Sequence, residues 1–370
     1  MGHVKRTLIA LFGVAIVLAA CGGNTGATNP STGSANVPTP PAASLTGAGA
    51  TFPAPFYSAA FYAYHQKFSQ VTVNYQSVGS GAGIQQLTRK TVDFGASDVP
   101  MSSTELAAAG GVDSVVQIAT TLGTESLAYN LQGVSNGRLK LSPETIAGIF
   151  LGKIKKWNDP ALAADNGGVS LPNQAITIVH RSDGSGTTYI FTDYLSSVSA
   201  DWKSGPGKGK SVNWPVGQGA KGNEAVATTI KQTPGAIGYV ELAYVLQTNM
   251  TQASLKNKDG NFVIPSEAGA TAAAKQFPDV TPSQFSIVNA SGRDSAPITG
   301  FSWLMFYKDQ ANKTKGTALV DLLDWLVTDG QQYGSNTHYA KLPSNIVKND
   351  TDALKSVTSG GTILLSVSSP

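Results

Sequence analysis

The nine residues Arg181-Ser182-Asp183-Gly184-Ser185-Gly186-Thr187-Thr188-Tyr189 put one cation, one anion, several hydroxyls and two glycines in a row. Arg181 can offer a planar fork to an oxyanion, or can simply pair with Asp183 two residues on. Gly and Ser also dominate surface loops, so this run alone is as good a loop as an anion cradle. Three other turns share its character: Gly47-Ala48-Gly49-Ala50-Thr51-Phe52, Gly79-Ser80-Gly81 and Ser97-Asp98. A single such turn is more often an ordinary helix cap. Four with one chemistry point to a shared anion site.

Asp98 narrows the anion. A carboxylate repels an oxyanion unless that oxyanion carries a proton to donate. Phosphate near neutral pH carries one in both of its main forms, much as a phosphoester ionises a second time at about pH 6. Sulfate does not, so an ionised Asp98 would set two acceptors face to face against it. Molybdate is disfavoured on the same ground. The competing reading makes Asp98 a cap ahead of Met101-Ser102.

These turns need elements to position them. Tyr57, Phe61, Tyr64 and Phe68 recur at helical spacing after Pro53 and Pro55, a favourable helix start. Residues 71–75 alternate as a strand, 84–90 read as a helix and 92–96 as a short strand. Ser102 and Glu105 have capping-box spacing, and Ser142-Pro143-Glu144 opens another helix. Residues 175–179 are a β-branched run leading into the Arg181 turn and a helix through Leu195. Strands at 236–240 and 298–307 follow, then an amphipathic helix on Leu319, Leu322, Leu323, Leu326 and Val327. Alternation of strand and helix predicts an α/β fold with partly parallel sheets. In such sheets ligands bind at the carboxyl ends of strands. Three of the four turns also set a hydroxyl at a helix N-terminus, where free N–H groups favour an anion.

Composition sets the outer bounds. The 370 residues are 41% hydrophobic and only 13% charged, enough for two folded domains and unlike a disordered chain. Net charge is +3, and removing the first twenty residues, which carry Lys5, Arg6 and no acid, leaves +1. A near-neutral chain without basic runs gives no footprint for nucleic acid. Lys5-Arg6 followed by the apolar run 7–20 reads as a secretory signal peptide over residues 1–20. The only cysteine, Cys21, closes Leu18-Ala19-Ala20-Cys21, which resembles the lipobox of bacterial lipoproteins. That resemblance implies cleavage before Cys21 and a lipid such as palmitate on its thiol. The stretch through Ala43, dominated by Gly, Ser, Thr, Asn, Ala and Pro, reads as a flexible linker, so 21–43 is expected to be a tether.

Rival functions leave weak signals. The four histidines have no metal-site spacing, and no nucleophile–base pair is legible, so neither an enzyme nor a metal site is expected. Gly217-Gln218-Gly219-Ala220-Lys221-Gly222 fits a dinucleotide fingerprint, but Asn213-Trp214-Pro215 before it make a poor central strand. Gly205 to Ser211 is one residue short of a P-loop. A surface adhesin is permitted by the tether and supported by nothing specific.

"LTGAGATFPAPFY", "VGSGAGIQQL", "VDFGASDVPMS", "HRSDGSGTTYIFTDYLS" and "TPGAIGYVE" resemble, in order, the signature segments of the phosphate-binding protein of the bacterial phosphate ABC transporter, the Pst system. The likeness runs from about Ser44 to the C-terminal helix. It implies a two-lobed class II periplasmic-binding-protein-like fold that closes over one dehydrated phosphate. It implies ligand contacts from Ala50, Thr51, Phe52, Ser80, Asp98, Arg181, Ser185, Gly186 and Thr187, with Asp183 orienting the arginine. It also implies lobe I at 44–125 plus 298–370, lobe II at 126–297, and a hinge between them. The implied protein is a monomer without cofactor, lipid-anchored outside the cytoplasm, that hands inorganic phosphate to membrane permease subunits. His180 before the arginine and Thr188 after the triplet depart from the family pattern without touching the implied contacts.

Overall fold

The computed structural model describes residues 39–365. The signal segment and Cys21 lie outside the described residues. Six parallel strands carry the architecture, three in each half of the chain. The first half runs β1 (Ala43–Gly49), α1 (Ala54–Lys67), β2 (Val71–Ser77), α2 (Ser80–Thr88), β3 (Phe94–Ser97) and α3 (Ser103–Ala108), then β4 (Val115–Tyr129). The second half runs α4 (Pro143–Phe150), β5 (Thr177–Arg181), α5 (Gly186–Val198), β6 (Gln218–Ala220), α6 (Gly222–Gln232), β7 (Ala236–Glu241) and α7 (Leu242–Gln247). The chain then returns through β8 (Thr299–Tyr307) and α8 (Lys313–Val327).

The two halves repeat one pattern. β1 lies between β2 and β3, all parallel, with β8 antiparallel beside β3. β5 likewise lies between β6 and β7, all parallel, with β4 antiparallel beside β7. β4 belongs to both: residues 115–124 pair with β8, and Glu125–Tyr129 pair with β7. This is the expected two-lobed, mixed α/β binding-protein fold. Among the described residues no helix is long and apolar enough to cross a membrane.

Local chemistry explains most elements. α1 carries a proline in its first turn and buries Tyr57, Phe61 and Tyr64. Tyr57 meets Tyr75 of β2 edge-on at 5.1 Å between ring centroids, and Phe61 meets Phe94 of β3 at 6.1 Å. Each such buried ring contributes about 1.5–3 kcal/mol, so the aromatic stripe fixes α1 on the sheet and thereby places its N-terminus. Ser102 and Glu105 form the reciprocal capping box of α3.

Several expected bounds shift. The tether ends early: Ala43 is the first residue of β1, its N–H donates to Gln70, and Gln70 in turn donates to the Pro40 carbonyl. The helix expected over 84–90 begins at Ser80, and the strand expected over 175–179 is 177–181, which makes Arg181 a strand residue. β1 itself is disguised by glycine, which weakens strands and carries no side chain to pattern. At Gly47 the reason is steric, since a Cβ there would lie 2.1 Å from the Phe94 ring.

Candidate functional site

All six parallel strands deliver a buried polar group to one place beyond their carboxyl ends. In the first half β1 leads to Ala50-Thr51-Phe52, β2 to Ser80 and β3 to Asp98. In the second, β5 ends on Arg181, β6 leads to Asn223 and β7 ends on Glu241. Thr51, Ser80, Asp98, Arg181, Ser185, Thr187, Asn223 and Glu241 are all at most 3% exposed. The nine residues implied as ligand contacts therefore converge, although they come from both halves of the chain.

Arg181 and Asp183 form a two-pronged pair. Arg181 Nε donates to Asp183 Oδ1 at 2.8 Å and Nη2 to Oδ2 at 2.6 Å. The third nitrogen, Nη1, reaches Thr187 Oγ1 at 3.2 Å. Burial alone would raise the Asp183 pKa, but Arg181 and the Gly222 amide at 3.1 Å outweigh it and hold the carboxylate below its ordinary range. Asp183 is thus a brace, and the salt-bridge and oxyanion readings of Arg181 are compatible: two nitrogens are fixed so that the guanidinium plane is set.

Ser185 caps α5 by accepting from the Thr188 amide at 3.1 Å. The next amide, Gly186 N–H, donates across to Ser80 Oγ at 3.0 Å, joining the two halves. Glycine is required at 186, where a Cβ would lie 2.5 Å from Asp98 Cβ. Backbone contact also closes the rim, with Gly81 N–H donating to the Gly184 carbonyl at 2.9 Å.

Asp98 is not a cap, since Ser102 fills that role for α3. Its Oδ1 accepts from Ser302 Oγ at 2.6 Å, and Ser80 Oγ stands 3.5 Å from Oδ2. Burial pushes its pKa up to about 7, against the pull of Ser302, the Arg181 charge and Ser80. Near neutral pH the group is poised between acceptor and donor.

Two further acids lie beneath. Glu125 and Glu241 face each other in register across β4 and β7, both fully buried. Burial holds both well above the ordinary carboxylate range, with the charge of Asp98 adding to it. Tyr339 Oη is 2.5 Å from the Phe52 carbonyl and 3.0 Å from Glu241 Oε2. The carbonyl can only accept, so the single tyrosine proton goes there and Glu241 supplies the proton of the second bond. Neither Glu125 oxygen has a hydrogen-bond partner among the described residues, which fits a neutral acid far better than a carboxylate.

Ser302, Asn223, Glu125, Glu241 and Tyr339 are absent from the site read in the sequence. One signal was present: Gly217–Gly222 spans the 3-residue β6 and the turn after it, and its last glycine opens the helix that bears Asn223. The turn set aside as a nucleotide decoy is a fifth strand-to-helix junction. Ser302 and Tyr339 lie far down the chain with no motif around them. His180, by contrast, stacks on Trp214 at 4.7 Å and serves packing. The near-P-loop contributes Lys210, whose carbonyl accepts from the Ser185 amide and whose ammonium pairs with Glu105 of α3.

Comparison with known proteins fits this geometry. The family model described as a PBP superfamily domain matches residues 31–329. The chain is 44% identical over 309 residues to the phosphate-binding protein PstS of Pasteurella multocida, covering 83% of this chain and 88% of that one. It is 43% identical over 331 residues to the protein of the same name from Xylella fastidiosa (strain Temecula1 / ATCC 700964), covering 86% and 90%. Among solved structures, the phosphate binding protein from Stenotrophomonas maltophilia is similar in fold, with a TM-score of 0.66 at 20% identity over 84% of this chain and 94% of that one. The chain belongs to the PstS phosphate-binding protein family, within the PBP superfamily.

Proposed function

We propose that this protein captures inorganic phosphate outside the cytoplasm and delivers it unchanged to the permease of a phosphate ABC transporter. The observation that carries the reading is the meeting of Arg181, Asp98 and a set of hydroxyl and amide donors at six strand ends. In this reading the amides of Thr51 and Phe52 and the hydroxyls of Thr51, Ser80, Ser185 and Thr187 donate to phosphate oxygens, while the Ala50, Ser185 and Gly186 amides, which donate to Ala96, Lys210 and Ser80, line the site. Arg181 supplies the only full positive charge, and Asp98 takes the side of the ligand that bears a proton.

The raised pKa of Asp98 suits this role. A carboxylate with the monoanion and a carboxylic acid with the dianion hold the same two protons in total, so both routes lead to one complex. Sulfate has no proton to share and meets an unpaired acceptor once Asp98 ionises.

The lobes are proposed to divide near residues 125 and 298, where β4 exchanges β8 for β7 as its neighbour. A lipid on Cys21 and a short tether would keep the monomeric protein at the membrane face. Calorimetric titration of the ligand-stripped protein tests the function. One phosphate bound per chain, with sulfate at least ~100-fold weaker at pH 8, is the expected outcome. Equal affinity for both anions, or no heat with phosphate, would sink it.

A further inference from the structure

Asn223 is fully buried at the start of α6 and bonds in three directions. Its Oδ1 accepts from the Glu241 amide at 3.0 Å, and its Nδ2 donates to Thr51 Oγ1 at 2.8 Å and to Thr187 Oγ1 at 3.1 Å. The Glu241 amide settles which way the side chain faces, since a flipped amide would set two donors against each other. Thr51 Oγ1 takes a second N–H from the Asn223 backbone at 3.2 Å, and Thr187 Oγ1 takes its second from Arg181 Nη1 at 3.2 Å.

A hydroxyl oxygen has two lone pairs and one proton. On both threonines the two lone pairs are occupied, and every hydrogen bond these oxygens make among the described residues is one they accept. The valence left on each is the O–H. We propose that Asn223 is a specificity-determining positioning residue: by filling these lone pairs it makes Thr51 and Thr187 obligate donors. They then serve only unprotonated ligand oxygens, one from each half of the chain, and the task of accepting a ligand proton passes to Asp98. The inference rests on the phosphate reading and deepens it. It assigns the preference for a singly protonated oxyanion to the whole donor set, and not to Asp98 alone.

The test is calorimetric titration of the full, ligand-stripped protein with phosphate at pH 5.5 and pH 8. Wild type, Asn223→Ala, the pair Thr51→Val with Thr187→Val, and the triple variant are compared. Asn223→Ala is expected to weaken binding by about 10–100-fold at pH 8, the scale of one or two hydrogen bonds to a charged group. The loss should be several-fold smaller at pH 5.5, because freed lone pairs can then accept from the doubly protonated ligand. In the double-valine background the asparagine change should cost less than about threefold, since its route of action has gone. The surrounding Asp98, Glu125, Asp183, Glu241 and Arg181 are common to all four proteins, so their titration divides out of the comparison. Asn223→Leu keeps the volume without the amide and gives the same readout should the alanine variant fold poorly. An equal loss at both pH values that persists without the threonine hydroxyls would overturn the inference alone. Wild type failing to bind phosphate would overturn the functional reading, and this inference with it.

Discussion

Ser302 Oγ donates to Asp98 Oδ1 at 2.6 Å, a buried bond between residues 204 positions apart in the chain. It fixes which carboxylate oxygen is spoken for and stabilises the ionised form of an acid that burial holds near 7. Removing it in Ser302→Ala should push Asp98 higher still, by about one unit, as expected for a hydrogen bond of roughly 1–2 kcal/mol. The pH at which the protein begins to reject sulfate should rise by the same amount. Phosphate binding competed with sulfate across pH 5–9 measures that midpoint; an unmoved midpoint would separate Ser302 from Asp98.

Wild type itself should lose selectivity in acid. Asp98 takes up a proton as pH falls through about 7, and a protonated carboxyl can donate to sulfate. Sulfate should therefore compete better at pH 5.5 than at pH 8, by about tenfold or more. Asp98→Asn should compete alike at both pH values, with discrimination already eroded at pH 8.

Stability of the ligand-free protein carries the same signature. An acid raised from its ordinary value of 3.8 to about 7 on folding binds more protons in the native state than in the unfolded chain. The Asp98 contribution to stability therefore falls with rising pH from about 4 to 7 and levels off above. Asp98→Asn removes that penalty, so it should be more stable than wild type at pH 8, by roughly 2–4 kcal/mol, and no more stable at pH 4. Urea melts at the two pH values give the difference directly.

Arg181→Ala should weaken phosphate by at least ~100-fold, since it removes the cation and strands a buried Asp183. Arg181→Lys should not restore it. A single ammonium cannot hold both oxygens of Asp183 and reach Thr187 as the guanidinium does.

Affinity should depend little on ionic strength. One buried arginine already paired with Asp183 leaves almost no net field to screen. A drop in affinity steeper than about threefold between 20 mM and 200 mM sodium chloride would argue for a long-range electrostatic contribution absent from this site.

What could be read in the sequence depended on how local each feature is. The helix on Tyr57, Phe61 and Tyr64, the capping box at Ser102 and the glycine-rich turns are set by neighbours a few residues apart, and they occur where their spacing puts them. β4 was not legible: all but one of its 15 residues are buried, so it lacks alternation, and Thr120, Thr121, Gly123, Thr124, Glu125 and Ser126 break its apolar run. Ser302 and Tyr339 reach the site only through tertiary folding, and nothing near them in the chain marks their partners. Asn223 directly follows the Gly217–Gly222 motif, whose glycines mark a turn and carry no signal for a buried amide beside it.

β4 has one more consequence. The chain enters the second half at Glu125 and leaves it at Ile298, and the Glu125 amide donates to the Ile298 carbonyl at 2.8 Å. Two strands paired side by side, about 5 Å apart, act as the two knuckles of a door: they bend together about one line and resist twist and shear. In the hinge motion proposed above, the lobes would swing about this line and not slide past one another. Closure of that kind would return Gly186 to Ser80 and Asn223 to Thr51 without a search for alignment.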